Sequence, residues 1–303
     1  MAGKMRVALM GGGAVAALHA ASLKDAGAEL MSVFSPKLER AAEFARAHGV
    51  ARACTEMDAA LEGVDAAIVC SPSARHFEQA EACLRAGVHT LVELPACGTA
   101  NEAETLGELA RRENVVLGCA HTSRFLEPYA RIHGALRDGW LGEVEEVHCI
   151  RNPVLRERSW TDDALAHHAA HAIDLALHWC GELAPLACIT FPSGGAAQTV
   201  SLLGRLPSGR AMTVAVSYGS RMPFSVMVVK GAKHAMITDG FSYLRSDGEG
   251  VEFAGDETAV YEEAIRRQDA LFLKACRGEG TYIPWTETAK LVRCVNRFQE
   301  LGG

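Results

Sequence analysis

The first residues whose spacing suggests chemistry are glycines. The segment from Val7 to Ala16 sets Gly11-x-Gly13-x-x-Ala16 between an apolar run and a stretch of helical length. Gly11 suits a tight turn, Gly13 lets backbone amides approach an anion, and Ala16 permits close packing of helix on sheet. Ala14 and Val15 open that helix, whose N-terminus favours a diphosphate. A dinucleotide is the ligand this arrangement implies. The next apolar run ends in Ser35-Pro36-Lys37, with Arg40 one turn later and no acid before Glu39. An acid there would bind a ribose 2′-hydroxyl, whereas a hydroxyl with cations accepts a 2′-phosphate, so the expected cofactor is NADP.

A second group is rich in histidine. On a helix, His167, His171, Asp174 and His178 fall at i, i+4, i+7 and i+11 and share one face, with His168 turned about 100° away toward a substrate. Buried imidazoles and carboxylates need partners, so such a stripe is poor core material. Three uses fit it: acid-base catalysis, a zinc site, or an internally bonded polar stripe. Neutral imidazole can take a hydroxyl proton near neutral pH, which makes His171 the candidate base, His167 its support and Asp174 the group that fixes its tautomer. Neither a cysteine pair nor a His-Glu-x-x-His signature accompanies the stripe, so no metal is assigned. Arg124 and Arg158 are the cations suited to grip substrate carboxylates through two hydrogen bonds each. In the run Arg158-Ser159-Trp160-Thr161, Trp160 could wall an aromatic-sized ring and Thr161 could contact the same ligand.

These residues need two kinds of scaffold. In the first half, expected strands at 6–10, 30–34, 66–70, 90–92 and 115–119 alternate with expected helices at 14–26, 38–48, 75–86 and 101–112, the last capped by Thr99 or Asn101. That is the pattern of a doubly wound parallel α/β sheet. The second half places a helix at 129–137, a strand at 144–151 and the histidine helix at 164–179. Strand-like runs follow at 187–191, 199–206, 211–218, 224–229 and 234–238, then helices at 261–277 and 286–301. This reads as an α+β domain with an open, mostly antiparallel sheet. With 303 residues, two domains are expected, a Rossmann domain over 1–122 and a substrate-binding and dimerisation domain over 123–303.

Composition narrows the function classes. Hydrophobic residues make up 49% and charged residues 22%, and no run approaches the roughly 18 apolar residues of a membrane helix. A formal charge of −7 without a basic stripe argues against nucleic acid as partner. The start lacks an apolar segment with a cleavage site, and the ten scattered cysteines form no Cys-x-x-Cys pair. A cytoplasmic protein with reduced, core-packed cysteines is expected, acting on a small anionic carboxylate.

Several short runs carry a resemblance: the glycine turn followed by His19, Cys70-Ser71-Pro72 with His76 downstream, Glu93-Leu94-Pro95, His121-Thr122-Ser123-Arg124-Phe125, and His171-Ala172-Ile173-Asp174. Across essentially its whole length the chain resembles the glucose-fructose oxidoreductase, inositol dehydrogenase and rhizopine-catabolism family. The resemblance implies a Rossmann half, and a C-terminal open sheet that receives substrate and often pairs two copies into a homodimer. It implies that Cys70, Ser71, Pro72, His76 and Glu93 line the nicotinamide side, with Leu94 and His121 beside them. One departure matters. The family usually reads Glu-Lys-Pro, its lysine bonding the reacting hydroxyl, where this chain has Leu94. The common Asp-x-x-x-His pair is here His167-x-x-x-His171. A narrower resemblance covers both changes: the run from Arg158 to Asp162 leading into His167-His168-Ala169-Ala170-His171 looks like the 4-carboxy-2-hydroxymuconate semialdehyde dehydrogenases of bacterial aromatic catabolism. What this implies is NADP-dependent oxidation of a cyclic hemiacetal to 2-pyrone-4,6-dicarboxylate. Two alternatives stay open, a dehydrogenase of another polyol, sugar acid or semialdehyde, and a non-catalytic NADP-binding sensor.

Overall fold

The computed structural model describes residues 4–153, 163–193, 195–218, 220, 222–248 and 251–302. Arg158, Trp160 and Thr161 therefore lie outside the described residues. The chain divides into two compact units, one of residues 1–122 with 262–292 and the other of residues 123–261 with 293–303.

In the first unit, strands and helices alternate: β1 (Arg6–Met10), α1 (Ala14–Asp25), β2 (Glu29–Phe34), α2 (Leu38–His48), β3 (Arg52–Cys54), α3 (Met57–Leu61), β4 (Ala66–Val69), α4 (His76–Arg85), β5 (His89–Glu93), α5 (Ala100–Glu113) and β6 (Leu117–Ala120). The strands form one parallel sheet in the order β3-β2-β1-β4-β5-β6, the doubly wound order in which β1 and β4 flank the topological switch. β1 and β4 read as nearly continuous apolar runs because helices cover both faces of the sheet. Thr99, not Asn101, caps α5, and it does so reciprocally. Its hydroxyl accepts from the Glu102 amide at 3.2 Å, and Glu102 accepts from the Thr99 amide at 3.0 Å. Eight of the ten cysteines are buried.

In the second unit, a 3-10 turn (Thr122–Phe125) leads from the first unit to α6 (Glu127–Arg137) and β7 (Val144–Asn152). A π-helical turn (Ala164–Ala169) then runs into α7 (Ala170–Cys180). After it come β8 (Ala184–Phe191), β9 (Thr199–Arg205), β10 (Ala211–Ser217), β11 (Phe224–Gly231), β12 (Ala235–Thr238), β13 (Ser242–Arg245) and β14 (Val251–Ala254). Their sheet order is β14-β13-β12-β11-β7-β10-β9-β8, antiparallel throughout except where β10 lies parallel to β7. Strand alternation buries Val200, Leu202, Met212, Val214, Met227 and Val229 on one face.

The chain ends with α8 (Glu257–Cys276) and α9 (Trp285–Gly302). The expected boundary gave everything after residue 122 to the second domain, whereas residues 262–292 pack with the first unit. Phe272, Leu273 and Tyr282 join the core around β1 and β4, and the Tyr282 hydroxyl donates to the Cys119 carbonyl at 3.0 Å. Gly118 makes room for it, since a Cβ there would come within 2.5 Å of the tyrosine ring. Helical periodicity shows that a face is buried but not against which sheet.

Candidate active site

In the first unit the glycine turn sits at the C-terminal edge of the sheet. Gly11 has φ +131°, and a Cβ there would lie 2.7 Å from the Cys70 carbonyl oxygen, so backbone meets backbone and only glycine fits. A Cβ at Gly13 would meet nothing within 4 Å, so the space before α1 is open. Gly13 caps that helix without a side-chain bond, and its first turn carries no acid. Unsatisfied amides, an uncompensated positive helix end and open space form a cradle that fits a diphosphate.

Beside the turn lies a buried charge cluster. His19, on the inner face of α1, is fully buried. Its Nδ1 lies 3.0 and 2.9 Å from the two carboxylate oxygens of Asp269 on α8, and its Nε2 lies 2.9 Å from Glu93 Oε1 at the end of β5. Burial alone would lower the imidazole pKa, yet Asp269 and then Glu93 outweigh it and raise it from 6.5 to about 10. Cys70, buried among these groups, has its thiol pushed far up by burial and by the Glu93 and Asp269 charges, so it is inert packing.

The other first-unit residues fall into two sets. His76 ties two loops together, its ring nitrogens each 2.8 Å from a carbonyl oxygen, Ser71 on one side and Pro95 on the other. Leu94 packs against the hydrophobic core. His121 is buried with Nε2 3.0 Å from Thr288 Oγ1. Ser35 accepts from the Lys37 amide at 3.3 Å where α2 begins, and Lys37 and Arg40 are exposed and form no ion pair among the described residues.

In the second unit, Ser123 and Arg124 of the 3-10 turn run along α7. Arg124 donates from Nε and Nη2 to the two oxygens of Asp174 at 2.9 and 2.6 Å, and Nη1 lies 3.3 Å from His178 Nδ1. Both members of this ion pair are buried. The His178 ring stacks on His133 at 4.3 Å. The pKa of His133 is lowered, by burial first and then by Arg137 and Arg124, so it is held neutral. His171 Nδ1 lies 3.2 Å from Ser123 Oγ.

This geometry revises three expectations. The Arg124 fork, read as a clamp for a substrate carboxylate, is used on Asp174, because a buried carboxylate requires a charged partner. Asp174, read as the group orienting His171, is engaged by Arg124, and among the described residues the Ser123 hydroxyl lies within reach of the His171 ring. The stripe from 167 to 178 is not one regular helix face. Residues 164–169 form a wider π turn, and His167 points back along it, its Nδ1 3.1 Å from the Asp163 carbonyl and 3.2 Å from the Asp163 amide nitrogen. His168 meets the Tyr218 ring edge-on. Asp269 was missed. It sits in an ordinary amphipathic helix 250 positions from its partner, and no local signal marks it.

A family model described as the oxidoreductase family with an NAD-binding Rossmann fold matches residues 5–121, and one for bacterial oxidoreductase C-terminal domains matches residues 149–253. The chain is 30% identical to the 4-carboxy-2-hydroxymuconate-6-semialdehyde dehydrogenase of Sphingobium sp. (strain NBRC 103272 / SYK-6), with 98% of each chain covered. The chain belongs to the glucose-fructose oxidoreductase, inositol dehydrogenase and rhizopine-catabolism family. Members differ in substrate. The UDP-N-acetylglucosamine 3-dehydrogenase of Acidithiobacillus ferrooxidans is 33% identical over 57% of this chain and 53% of its own. A solved structure of that enzyme superposes with TM-score 0.84 at 24% identity, covering 99% of this chain and 98% of that one. Levoglucosan dehydrogenase in complex with NADH and levoglucosan superposes with TM-score 0.86 at 17% identity, covering 98% and 97%. These likenesses establish the shared fold. Among the described residues no helix is long and apolar enough to cross a membrane.

Proposed function

We propose that this oxidoreductase is an NADP-dependent dehydrogenase oxidising the cyclic hemiacetal of 4-carboxy-2-hydroxymuconate-6-semialdehyde to 2-pyrone-4,6-dicarboxylate. The observation that carries this reading is the likeness, over 98% of both chains, to a relative bearing that semialdehyde's name. Leu94 in place of the family's usual lysine supports it, because a leucine can neither donate to nor accept from a reacting hydroxyl. When bound, the nicotinamide supplies the acceptor for two electrons and one hydrogen.

The chain's own residues would do the rest. Gly11 and Gly13 leave room for the diphosphate, and the amides opening α1 bind it. His171 takes the hydroxyl proton at Nε2, provided that its Nδ1–H donates to Ser123 Oγ. Arg158 grips a substrate carboxylate, Trp160 walls the ring, and Thr161 contacts the same ligand. Ser35, Lys37 and Arg40 bind the 2′-phosphate, a role favoured by two exposed cations that make no ion pair among the described residues.

The test is reduction of NADP⁺ by the purified chain with the ring-cleavage product of protocatechuate, beside a panel of polyols, sugar acids and other semialdehydes. Turnover with a polyol but not with the hemiacetal would replace the substrate assignment. Lys37→Ala should raise KM for NADP and leave NAD kinetics unchanged, and equal effects on both would refute the 2′-phosphate role.

A further inference from the structure

The buried cluster of His19, Glu93 and Asp269 carries more charge than a core needs for packing. Both nitrogens of one fully buried imidazole face carboxylates, at 2.9 Å on the Glu93 side and 2.9 to 3.0 Å on the Asp269 side. A carboxylate only accepts, so each ring nitrogen must bring a proton or each carboxyl must supply one. With two protons shared along the row, the cluster is anion, cation, anion. If one proton moves from nitrogen to oxygen, it becomes one anion and two neutral groups. Either way its net charge is −1. A buried ion pair needs one carboxylate, and the second leaves the excess.

That excess charge is placed with direction. His19 and Asp269 are sealed in the core, whereas the Glu93 side chain is 18% exposed and is the member that reaches the surface. It stands at the C-terminal end of β5. Val92 pairs with Val69 of β4, and Val69 with Met10 of β1, so Glu93 and the Gly11 turn share one sheet edge, two strand spacings or about 10 Å apart. Cys70 fills the gap. Its backbone abuts Gly11, and its thiol feels both the Glu93 and the Asp269 charges. The anionic cluster thus borders the glycine cradle from within the same unit.

An oxidised nicotinamide ring carries one positive charge and the reduced ring carries none. We propose that the His19–Asp269 pair is a positioning device that holds Glu93 as the outward end of a net-negative cluster, and that this cluster makes the chain bind the oxidised dinucleotide in preference to the reduced one. The inference rests on the proposed binding of a nicotinamide dinucleotide. Asp269 and His19 act through Glu93 and touch no ligand themselves. An excess charge bordering the site favours the cationic form by roughly tenfold at the effective dielectric of a partly exposed site.

The experiment is calorimetric titration of the full chain with NADP⁺ and with NADPH, comparing wild type, Glu93→Gln and Asp269→Asn. Each substitution removes one anion and brings the cluster to neutrality. The ratio Kd(NADPH)/Kd(NADP⁺) should fall about tenfold in both variants, whatever happens to the individual affinities. A merely structural role would weaken both forms alike and leave the ratio unchanged, which overturns the proposal. A shift in Glu93→Gln alone would reduce the effect to local contact and overturn the part given to Asp269. If Asp269→Asn does not fold, Glu93→Gln with His19→Gln restores a single buried carboxylate, and its ratio should return toward wild type. A return that does not occur also counts against the cluster. Failure of the wild-type chain to bind either nucleotide would instead refute the cofactor reading beneath it.

Discussion

A histidine removes a hydroxyl proton only when one ring nitrogen is kept as N–H and the other offers its lone pair. Ser123 Oγ, 3.2 Å from His171 Nδ1, is placed to accept that N–H. His171→Ala should therefore lower kcat about 100-fold or more with KM for NADP unchanged. Ser123→Ala should give a smaller loss, again in kcat. If steady-state turnover survives His171→Ala, another group is the base. Arg124 belongs to a different class of residue. Its fork is spent on buried Asp174, so Arg124→Ala leaves a carboxylate uncompensated in the core and should destabilise the second unit by about 3–5 kcal/mol. Urea denaturation measures this, and adding Asp174→Asn should recover part of the loss. A single variant as stable as wild type would show that water reaches the pair.

At the scale of elements, three pieces of chain that are distant in sequence meet at one imidazole: α1, the end of β5 and α8. The imidazole pKa stands at about 10 in the fold against 6.5 for a free side chain. Stability from this cluster is then complete below pH about 6.5 and is lost as pH rises through about 10. Thermal melts between neutral pH and pH 10.5 should show the transition temperature falling with rising pH, with a shallower slope in His19→Gln. Equal slopes would show that other groups dominate the alkaline limb. The π turn at Ala164–Ala169 makes a separate point at this scale. Asp163 caps it through the Ala166 amide at 2.8 Å and also binds the Ala197 amide at 2.8 Å. The start of the histidine helix is thus anchored to the strand region before β9, and the phase of His167 is set by that anchorage and not by a uniform 3.6-residue repeat.

For the whole molecule, the second sheet buries one face, and the other face mixes exposed apolar side chains with polar ones such as Thr199, Ser201, Thr213 and His148. Registers across β8 to β13 put Ile150, Ile189, Phe191, Leu203, Phe224 and Ile237 on that outer face, and Ile189 and Phe191 are 72% and 70% exposed. So many large apolar side chains exposed on one face suit an interaction site, and we propose that a second copy of the chain covers it. Ile189→Glu with Ile237→Glu should convert a dimer to a monomer in analytical ultracentrifugation, and a wild-type chain that sediments as a monomer would remove the proposal.

Local pattern was sufficient for much of this protein. The Gly11 turn, the alternation of short strands and helices up to Ala120, and the change to strand-rich sequence after Arg124 follow from backbone freedom and side-chain period, both of which are written in consecutive residues. The strands missed were short or lay late in the second sheet: β3 with three residues, and β13 and β14 with four each. Such lengths hold too few side chains to display a period. What only the tertiary structure decided was pairing at a distance. Asp269 completes the His19 cluster, Arg124 pairs with buried Asp174, and residues 262–292 return to the first unit. Each outcome depends on which buried charge or apolar face lies opposite, and that is a property of the packed chain, since a salt bridge or a core contact leaves no trace in the spacing of neighbouring residues.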